Sequence, residues 1–456
     1  MSAFADEIIR LRNVGIWSGG GTPSKANPVY WDNGDIPWVS PKDMKTFELH
    51  DSQDKITAKA VEASSAKLVP AGSVLMVVRS GILAHTFPVA IARTAVTLNQ
   101  DMKAITPKGG LSSEFLAYQL RAQESTILKS CTKSGTTVAS VETKQLQSLP
   151  FWVPSAELQT RIVEELDKQL SRLEATVTTL QGIQAKLKQA RASILKAAVE
   201  GRLVPPIQST KHHKNASRLD ASTLLEQIKL STEEYLGKKI KRNMDTSHSS
   251  SAVGLQPGWC LARLSDLGVF GRGKSRHRPR NDSRLFGGAY PFIQTGEVAA
   301  SKGRITHHTY TYSEFGLSQS KLWPKHTLCI TIAANIANTG ILQIDACFPD
   351  SVVGLYCPLT QSVVKYAEIF IGSIKGKLEE LAPATAQKNI NLKILDDLHI
   401  PLPPLVELCQ IVNEVDRRFS VLDQVEATVQ TSLTRCTKLR QAILKRAFEG
   451  RLVPAA

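Results

Sequence analysis

One stretch of this sequence has the residue types and spacing of a phosphate-binding loop. Residues 268–275 read Gly-Val-Phe-Gly-Arg-Gly-Lys-Ser, which fits the pattern G-x-x-x-x-G-K-[ST]. In a nucleotide hydrolase such a loop joins a strand to a helix, whose N-terminal amides hold the phosphates. Here residues 276–282 read Arg-His-Arg-Pro-Arg-Asn-Asp, a basic stretch broken by proline. No apolar strand ending in an aspartate follows to hold magnesium. We therefore do not predict a nucleotide hydrolase.

A second stretch approaches the signature of enzymes that methylate DNA amino groups. Residues 27–30 read Asn-Pro-Val-Tyr, whereas the signature N-P-P-[YF] requires a second proline. A methyltransferase would also need a glycine-rich loop after a strand to hold S-adenosylmethionine, and we find none. No paired acidic cluster resembles a nuclease centre. The sequence thus predicts a chain without a catalytic site of its own.

Metal chemistry is not indicated either. The seven cysteines form no C-x-x-C pair, and the adjacent histidines at 212–213 and 307–308 lack a matching cysteine or carboxylate spacing. The first residues lack the cationic and apolar stretches of a signal peptide. The longest apolar runs, such as residues 74–78, are of strand length. Together with the odd cysteine count, these features lead us to expect a cytoplasmic protein.

The charge balance points to a polyanionic partner. Lysine and arginine number 56 against 41 aspartates and glutamates, which gives a net charge of +15 and a pI near 9.4. Nucleic acid and an anionic membrane surface are both compatible with that charge. In the densest cationic cluster, glycines and a proline separate the basic residues. This composition is typical of a loop that follows a phosphate backbone or enters a DNA groove. A solvated loop is the alternative. The candidate DNA-binding residues of this loop are Arg272, Lys274, Arg276, Arg278 and Arg280.

Two further loops carry side chains that can read bases. Arg79 and Ser80 follow an apolar run in the first half of the chain, and Asn335 follows one in the second half. Arginine makes paired hydrogen bonds to guanine, and asparagine makes them to adenine. These three residues are therefore candidate DNA contacts, although a structural turn explains them equally well. The first-half counterpart of the basic loop, residues 18–25, is glycine-rich and only weakly basic.

The chain contains an internal repeat. Residues 193–205 read SILKAAVEGRLVP and residues 442–454 read AILKRAFEGRLVP. The offset of 249 residues holds without a gap back to Ile162 and Ile411, with 19 of 44 positions identical. Fainter matches lie upstream, between residues 36–39 and 290–293. We therefore predict that the chain consists of two tandem halves, each with a variable globular part followed by a similar helical part.

Each helical part has apolar residues at alternating spacings of three and four, the pattern of a coiled-coil seam. The helix-contact or subunit-docking candidates from this pattern are Leu166, Leu173, Leu187, Ile194, Leu422, Leu433 and Ile443. Gln184 and Arg191 interrupt the seam. Ser155 is a plausible N-cap and Gly201 a stop signal, so we predict a helix from about 156 to 200. The simplest arrangement buries the two matched seams by packing the two helices against each other. The alternative is that each helix packs on the globular part of its own half.

These patterns predict five segments. They are a globular domain at 1–153, a helix at 154–205, a polar linker at 206–253 with a short helix near 222–239, a second globular domain at 254–402, and a helix at 403–456. Short β-rich runs between turns make the globular parts α/β or α+β. The expected fold is a pseudo-twofold tandem repeat.

The sequence resembles the specificity subunits of type I restriction-modification systems over essentially its whole length. The resemblance rests on the duplicated ILK-x-A-x-EGRLVP helix ends and the PLPPLVEL segment at 401–408. SGGGTPS, GDIPWVSPKDM, LNQDM, GKSRHRPRND, YPFIQTGEV and AQKNINLKILDDL add to it. One departure is Ser155-Ala156, where the second half has Pro403-Pro404 before its helix.

The resemblance implies a division of labour. Each globular part is a target recognition domain that reads one half of a split DNA site, and two antiparallel coiled-coil helices separate them. Two modification subunits carry the S-adenosylmethionine chemistry, and two restriction subunits use ATP and Mg²⁺. This chain then binds double-stranded DNA and needs no cofactor. The bases read are not predicted, since specificity also depends on loop geometry and DNA shape. The alternatives are a nucleotide hydrolase, a methyltransferase fusion, or a coiled-coil adaptor without DNA contact.

Overall fold

A computed structural model describes residues 7–133, 138–205, 220–240, 255–381 and 390–453. The chain forms two compact units. The first unit comprises residues 1–182 together with 429–456, and the second comprises residues 183–428. Each unit is therefore built from both halves of the sequence repeat.

The first unit contains twelve strands within its described residues. They are β1 Glu7–Arg10, β2 Gly15–Gly19, β3 Ile36–Val39, β4 Glu48–Leu49, β5 Asp54–Ile56, β6 Val74–Val77, β7 Val89–Ala92, β8 Thr97–Leu98, β9 Met102–Pro107, β10 Thr132–Lys133, β11 Ser140–Val141 and β12 Pro150–Val153. The helices introduced by this half of the chain are α1 Ala58–Ala63, α2 Ser113–Ala122, α3 Glu124–Ser130, α4 Thr143–Ser148 and α5 Ala156–Val199. The last of these continues into the second unit.

The second unit has eleven strands among the residues described. They are β13 Cys260–Arg263, β14 Val269–Arg272, β15 Phe286–Phe292, β16 Gly303–Ile305, β17 Tyr310–Tyr312, β18 Leu322–Trp323, β19 Leu328–Thr331, β20 Thr339–Leu342, β21 Ala346–Cys347, β22 Val352–Tyr356 and β23 His399–Leu402. The helices of this half are α6 Ala221–Leu236, α7 Thr295–Ala300, α8 Glu314–Ser318, α9 Gln361–Glu380, α10 Leu392–Asp396 and α11 Leu405–Phe448.

The main sheets of the two units have the same topology. In the first unit the strand order is β2-β9-β6-β7-β4, and in the second it is β14-β22-β19-β20-β16. In both sheets the first four strands run antiparallel to their neighbours, and the fifth is parallel to the fourth. The faint sequence matches reflect this identity, because residues 36–39 and 290–293 lie in equivalent strands of the smaller sheets.

The core of the first unit lies between its main sheet and helices from both halves of the chain. From α2, Phe115 is fully buried, and its ring centroid lies 5.3 Å from that of Phe448 near the end of α11. Leu166 of α5 and Ala447 of α11 are buried in the same apolar cluster. The end of the second repeat helix is therefore part of the first unit's core.

The second unit is covered in the corresponding way. Ala198, near the end of α5, is fully buried in one cluster with Tyr366 of α9 and Ile411 of α11. Trp259 Nε1 donates a 3.1 Å hydrogen bond to the carboxylate of Glu407 on α11. The end of the first repeat helix thus closes the core of the second unit.

Helix α5 begins and ends close to the predicted positions. Ser155 Oγ accepts a 3.3 Å hydrogen bond from the amide of Leu158, as an N-cap does. Gly201 has a φ of +67°, and Gly450, its counterpart after α11, has a φ of +70°. Glycine adopts this left-handed conformation without the steric penalty that a Cβ brings, so both repeats end their helices in the same way.

Ion pairs join the two long helices within each unit. In the first unit Glu174 on α5 pairs with Arg440 on α11 at 2.9 Å. In the second unit Arg191 on α5 pairs with both Asp423 and Glu426 on α11.

Candidate nucleic-acid interface

The candidate DNA-binding residues of the second unit meet at one end of its main sheet. The amide of Gly273, at the start of the basic loop, donates a 2.9 Å hydrogen bond to the carbonyl of Val352. The amide of Ile332, where the β19–β20 hairpin begins, donates to the carbonyl of Ser351 at 3.0 Å. The segment before β22 therefore holds the basic loop on one side and the hairpin with Asn335 on the other.

Five arginine and lysine side chains predicted to bind DNA are exposed in this loop. The main chain around them is fixed, since the amide of Arg276 donates to the carbonyl of Gln319 at 3.2 Å and Ser320 Oγ donates to the carbonyl of Lys274 at 2.8 Å. Arg272 ends strand β14 opposite Val353. The loop can therefore present cations on a defined path.

Two of the five cations already have hydrogen-bond acceptors in the protein. The Arg280 guanidinium donates to both carboxylate oxygens of Asp350, at 3.0 and 2.9 Å. The Arg278 guanidinium donates to the carbonyls of Ser275 and His277, at 2.7 and 2.9 Å. The charge of Arg280 is thereby offset, whereas Arg278 keeps its full charge because its acceptors are neutral.

An acidic residue that the sequence patterns did not indicate lies just beyond the loop. Asp282 accepts hydrogen bonds from the Arg284 guanidinium and from His277 Nε2, which lies 2.7 Å away. These contacts hold the pKa of the Asp282 carboxyl well below its usual range, with Arg284 the largest cause. The ring of Phe315 lies 5.2 Å from that of His277 and 5.3 Å from the Arg284 guanidinium carbon. Arg284 follows the cationic run by four residues, so the charge pattern itself could have indicated it.

Asn335 lies at an unusual position of the β19–β20 hairpin. Its neighbours Ala334 and Ala337 have φ angles of +62° and +56°, which are costly for residues with a Cβ. The hydroxyl of Thr331 donates to the carbonyl of Asn335, and the Asn335 amide donates to Ala333 at 2.8 Å. The main chain is thus tied down while the side chain is exposed.

The first unit has the same arrangement with different chemistry. Arg79 follows β6, and its Nε donates to the carboxylate of Asp101 at 2.5 Å. Ser80 Oγ accepts from the amide of Ile82 at 3.4 Å and starts a short 3-10 helix. At the end of β2, a Cβ on Gly20 would lie 1.8 Å from the carbonyl oxygen of Asn99. The glycines of this loop therefore permit a close approach to the segment before β9.

The segment whose sequence matches a phosphate-binding loop does not have the strand–loop–helix geometry of that motif. Residues 269–272 form strand β14, and residues 273–282 continue as a loop that leads into a short 3-10 helix, Ser283–Leu285. No α-helix begins directly after Lys274 and Ser275, so these residues do not form the helix N-terminus that the motif requires. Within the described part of the chain, no group of three or more histidine, cysteine, aspartate or glutamate side chains could hold a metal. None of the described helices combines the length and apolar composition needed to cross a bilayer.

The seam residues differ in their burial. Leu166, Leu173 and Ile443 are buried in the core of the first unit. Leu187 is also buried, but it is not a member of the apolar core of either unit. Ile194 packs against the core of the second unit and is partly buried, as are Leu422 and Leu433 in their respective units. The role of these residues in subunit docking remains a prediction.

A family model described as the type I restriction modification DNA specificity domain matches the chain twice, over residues 7–189 and 257–447. The chain belongs to this specificity family. The two matches coincide with the two copies of the fold and reach into both long helices.

Individual relatives are similar over parts of the chain. The specificity subunit of the Escherichia coli type I restriction enzyme EcoR124I/EcoR124II is 46% identical over 158 residues, which is 35% of this chain and 39% of that relative. The MjaIX specificity subunit of Methanocaldococcus jannaschii is 32% identical over 163 residues, which is 35% of this chain and 37% of that relative. These matches therefore span well under half of either relative.

One solved structure has a similar fold over nearly the whole chain. A chain from a study of complex assembly and conformational transition of the type I R-M system aligns with 98% of this chain and with 98% of its own length. The TM-score is 0.65 at 16% identity, which shows a shared fold.

Proposed function

We propose that this chain is the DNA-reading subunit of a type I restriction-modification complex. Each unit would read one half of a split, non-palindromic site, and helices α5 and α11 would set the spacer and dock the modification subunits. One observation carries the proposal: the same sheet is built twice, and in each copy loops of different chemistry meet at the same end. Two like frameworks with unlike loops suit two short, unlike DNA motifs.

The catalytic work then belongs to partner proteins. We infer two modification subunits, which bind S-adenosylmethionine, and two restriction subunits, which use ATP and Mg²⁺. The complex would work in the cytoplasm, where the DNA is. The purified chain alone is expected to have no ATPase, nuclease or methyltransferase activity. Stoichiometric ATP binding by the chain that is lost in Lys274→Ala would contradict this assignment.

Methylation sequencing tests the reading function directly. The genome of a host with the modification subunits is compared with and without a gene for this chain. We expect one bipartite motif, with a spacer of fixed length, to be methylated only when the chain is present. A methylated motif that does not change when the chain is removed would overturn the proposal.

A further inference from the structure

Arg284 of the second unit is an exposed arginine whose guanidinium is held by a carboxylate. Its Nε lies 3.2 Å from both carboxylate oxygens of Asp282, and its Nη2 lies 2.8 Å from Oδ2 of the same group. The side chain of Arg284 is 69% exposed, whereas that of Asp282 is only 14% exposed. One edge of the guanidinium is therefore bound to the protein, while most of the side chain is open to solvent.

Asp282 is itself held by further contacts. Its Oδ1 accepts a 3.0 Å hydrogen bond from the amide of Arg284, and its Oδ2 accepts one from His277 Nε2 at 2.7 Å. The amide of Asp282 donates to the carbonyl of Pro279 at 3.3 Å. A carboxylate with this many contacts has little freedom to rotate. It therefore gives the Arg284 guanidinium a fixed support.

An aromatic ring adds a second support. The guanidinium carbon of Arg284 lies 5.3 Å from the centroid of the Phe315 ring, which is within the range of a cation–π contact. Phe315 belongs to helix α8, and Ser313, the N-cap of that helix, donates its hydroxyl to the carbonyl of Arg284 at 2.6 Å. The main chain and the side chain of Arg284 are thus both tied to α8.

The contacts with Asp282 leave a pair of donors at the tip of the Arg284 side chain. A guanidinium has five N–H groups in a planar fork. Asp282 takes the N–H of Nε and one N–H of Nη2, and no acceptor among the described residues takes the other three. Two of those three, one on each terminal nitrogen, lie side by side at the end of the fork. Paired donors of this kind match O6 and N7 of guanine in the major groove.

Arg284 lies at the end of the basic loop. Residues 273–282 lead directly into the 3-10 helix Ser283–Leu285, which contains it. Within the loop, the amide of Arg276 donates at 3.2 Å to the carbonyl of Gln319, the residue that follows α8. The loop cations and Arg284 are therefore anchored to the same short helix. DNA that contacts the loop would lie next to Arg284.

The first unit holds one of its candidate arginines in a similar way. Arg79 Nε donates to Asp101, which is again the less exposed of the two, and the other oxygen of Asp101 accepts from Asn99 Nδ2 at 3.4 Å. Arg280 differs, because both of its hydrogen bonds to Asp350 come from Nη2 alone. A carboxylate bound through Nε, on the protein side of an exposed arginine, thus occurs once in each unit among these candidates.

We propose that Arg284 reads a guanine in the second half-site, and that Asp282 and Phe315 are positioning residues that hold its guanidinium for this contact. An arginine side chain loses rotamer freedom when it binds, and one that is already held loses less. The proposal rests on the DNA-reading function given above. It adds a base contact from a residue outside the set selected by sequence.

Base substitution in the target DNA tests the proposal. The full chain, assembled with its modification subunits, is titrated onto duplexes that carry its motif, each with one base pair of the second half-site changed. Arg284→Ala should reduce the preference for one G·C pair roughly 5- to 150-fold, which is the effect of one bidentate base contact. Preferences at the other positions and the melting temperature of the protein should not change. Methylation sequencing should show the same single position relaxed.

Two further variants separate base reading from charge. Arg276→Ala removes an equal charge from the loop and is the control, since loss of a phosphate contact should weaken binding to every duplex by the same factor. Asp282→Asn removes a negative charge, so electrostatics alone predicts tighter binding to every duplex with an unchanged base preference. A positioning role predicts that the preference for the G·C pair falls, because a neutral amide holds the guanidinium less firmly.

Three outcomes would contradict the inference. If Arg284→Ala weakens binding to all duplexes equally, as Arg276→Ala does, Arg284 contacts a phosphate and reads no base. If Arg284→Ala binds every duplex as the unaltered complex does, Arg284 does not contact DNA. If Asp282→Asn keeps the full preference, Asp282 is not a positioning residue. In each case the unaltered complex still methylates its bipartite motif, so failure of this inference is distinct from failure of the proposed function.

Discussion

Asn335 combines a constrained main chain with an exposed amide. Left-handed alanines on both sides cost roughly 1–3 kcal/mol each, and strain of this kind is commonly found at functional sites. Asn338, in the same hairpin, has a different task, because its Oδ1 accepts a 2.5 Å hydrogen bond from Lys375 Nζ on α9. The hairpin thus contains one asparagine that holds the structure together and one that faces solvent.

We expect Asn335→Ala to change which DNA is read. Discrimination at one base pair of one half-site should fall by about 1–3 kcal/mol, since a paired base contact is lost. The other half-site and the melting temperature should not change. Methylation sequencing of the reconstituted complex measures the motif. As a control, Asn338→Ala should lower the melting temperature. An unaltered motif in Asn335→Ala would show that Asn335 reads no base.

Asp350 restrains one of the loop cations. Asp350→Asn removes a negative charge from the proposed interface and releases Arg280 from its paired hydrogen bonds. DNA binding should become tighter, and its salt slope should become steeper by up to about one phosphate contact. The Asp350→Asn/Arg280→Ala double variant should lose this gain. A single variant that binds no more tightly than the unaltered chain would mean that Arg280 faces away from DNA.

Glu368 on α9 makes stability depend on pH. Burial raises its pKa to about 7, the Thr339 hydrogen bond opposes this, and nearby Asp416 adds to it. Because the folded pKa exceeds the unfolded value near 4.5, ionisation weakens folding as pH rises from about 4.5 to 7.

Replacing this carboxyl by an amide removes the effect. The stability advantage of Glu368→Gln over the unaltered chain should grow by about 2–3 kcal/mol between pH 5 and pH 8. Urea unfolding at both pH values measures it. Glu380→Gln, exposed at the end of the same helix, is the control. An advantage of equal size at both pH values would contradict the proposed ionisation.

At the scale of elements, the packing of the basic loop against the segment before β22 depends on one glycine. A Cβ on Gly273 would lie 2.1 Å from the carbonyl oxygen of Phe348 and 2.5 Å from that of Pro349. A Cβ on Gly271, two residues earlier, would meet nothing within 4 Å. The backbone at Gly273 therefore lies too close to residues 348–349 for any side chain, whereas Gly271 has room for one.

We expect Gly273→Ala to separate the loop from the segment before β22. The free energy of unfolding should fall by about 1–3 kcal/mol, as in other overpacked sites, and DNA affinity should fall with it. Gly271→Ala should change the free energy of unfolding by less than about 1 kcal/mol. Urea unfolding and DNA titration of the two variants give the comparison. Equal stability of the two variants would show that the Phe348 segment moves freely.

Elements set by local pattern were predictable. Helix α5 was predicted at about 156–200 from the seam spacing, the Ser155 cap and the Gly201 stop. Its bounds in the structure, Ala156–Val199, agree to within a residue or two. The short linker helix, predicted at 222–239, is found at Ala221–Leu236. Polar interruptions of the seam were harder to interpret. Arg191 pairs with Asp423 and Glu426 and lies over the Phe419 ring at 5.2 Å, partners more than 200 residues away.

The candidate DNA-binding residues were chosen from the sequence by residue type, and their contact with DNA stays a prediction. The ion pairs that some of them make within the protein were not predicted. Nothing near Arg280 in sequence indicates Asp350, and nothing near Arg79 indicates Asp101, because sheet register brings them together.

At the scale of the whole molecule, the repeat leads to a prediction about spacing. If the helices set the distance between half-sites, one heptad inserted after Gly182 and one after Thr428 should lengthen each helix by roughly 10 Å and keep the seam in register. The unread spacer should grow by about three base pairs, at about 3.4 Å of rise each, with both half-motifs unchanged.

The methylated motif of the reconstituted variant measures the spacer. Substituting seven residues without insertion, in the same places, controls for altered helix stability. Methylation of the original motif by the lengthened protein would show that the helices do not set the spacing.

The exchange of helix ends between the two halves also affects how the protein is made. The apolar surface of the first unit around Phe115 and Leu166 is covered by the end of α11. The ribosome must add nearly 250 further residues after Gly182 before that segment exists. At roughly 5–20 residues per second, this takes about 12–50 s, far longer than the microseconds in which a chain of this kind collapses. During synthesis the first unit therefore waits with its core open, and a chaperone, or a transient partner helix from another chain, has time to bind there.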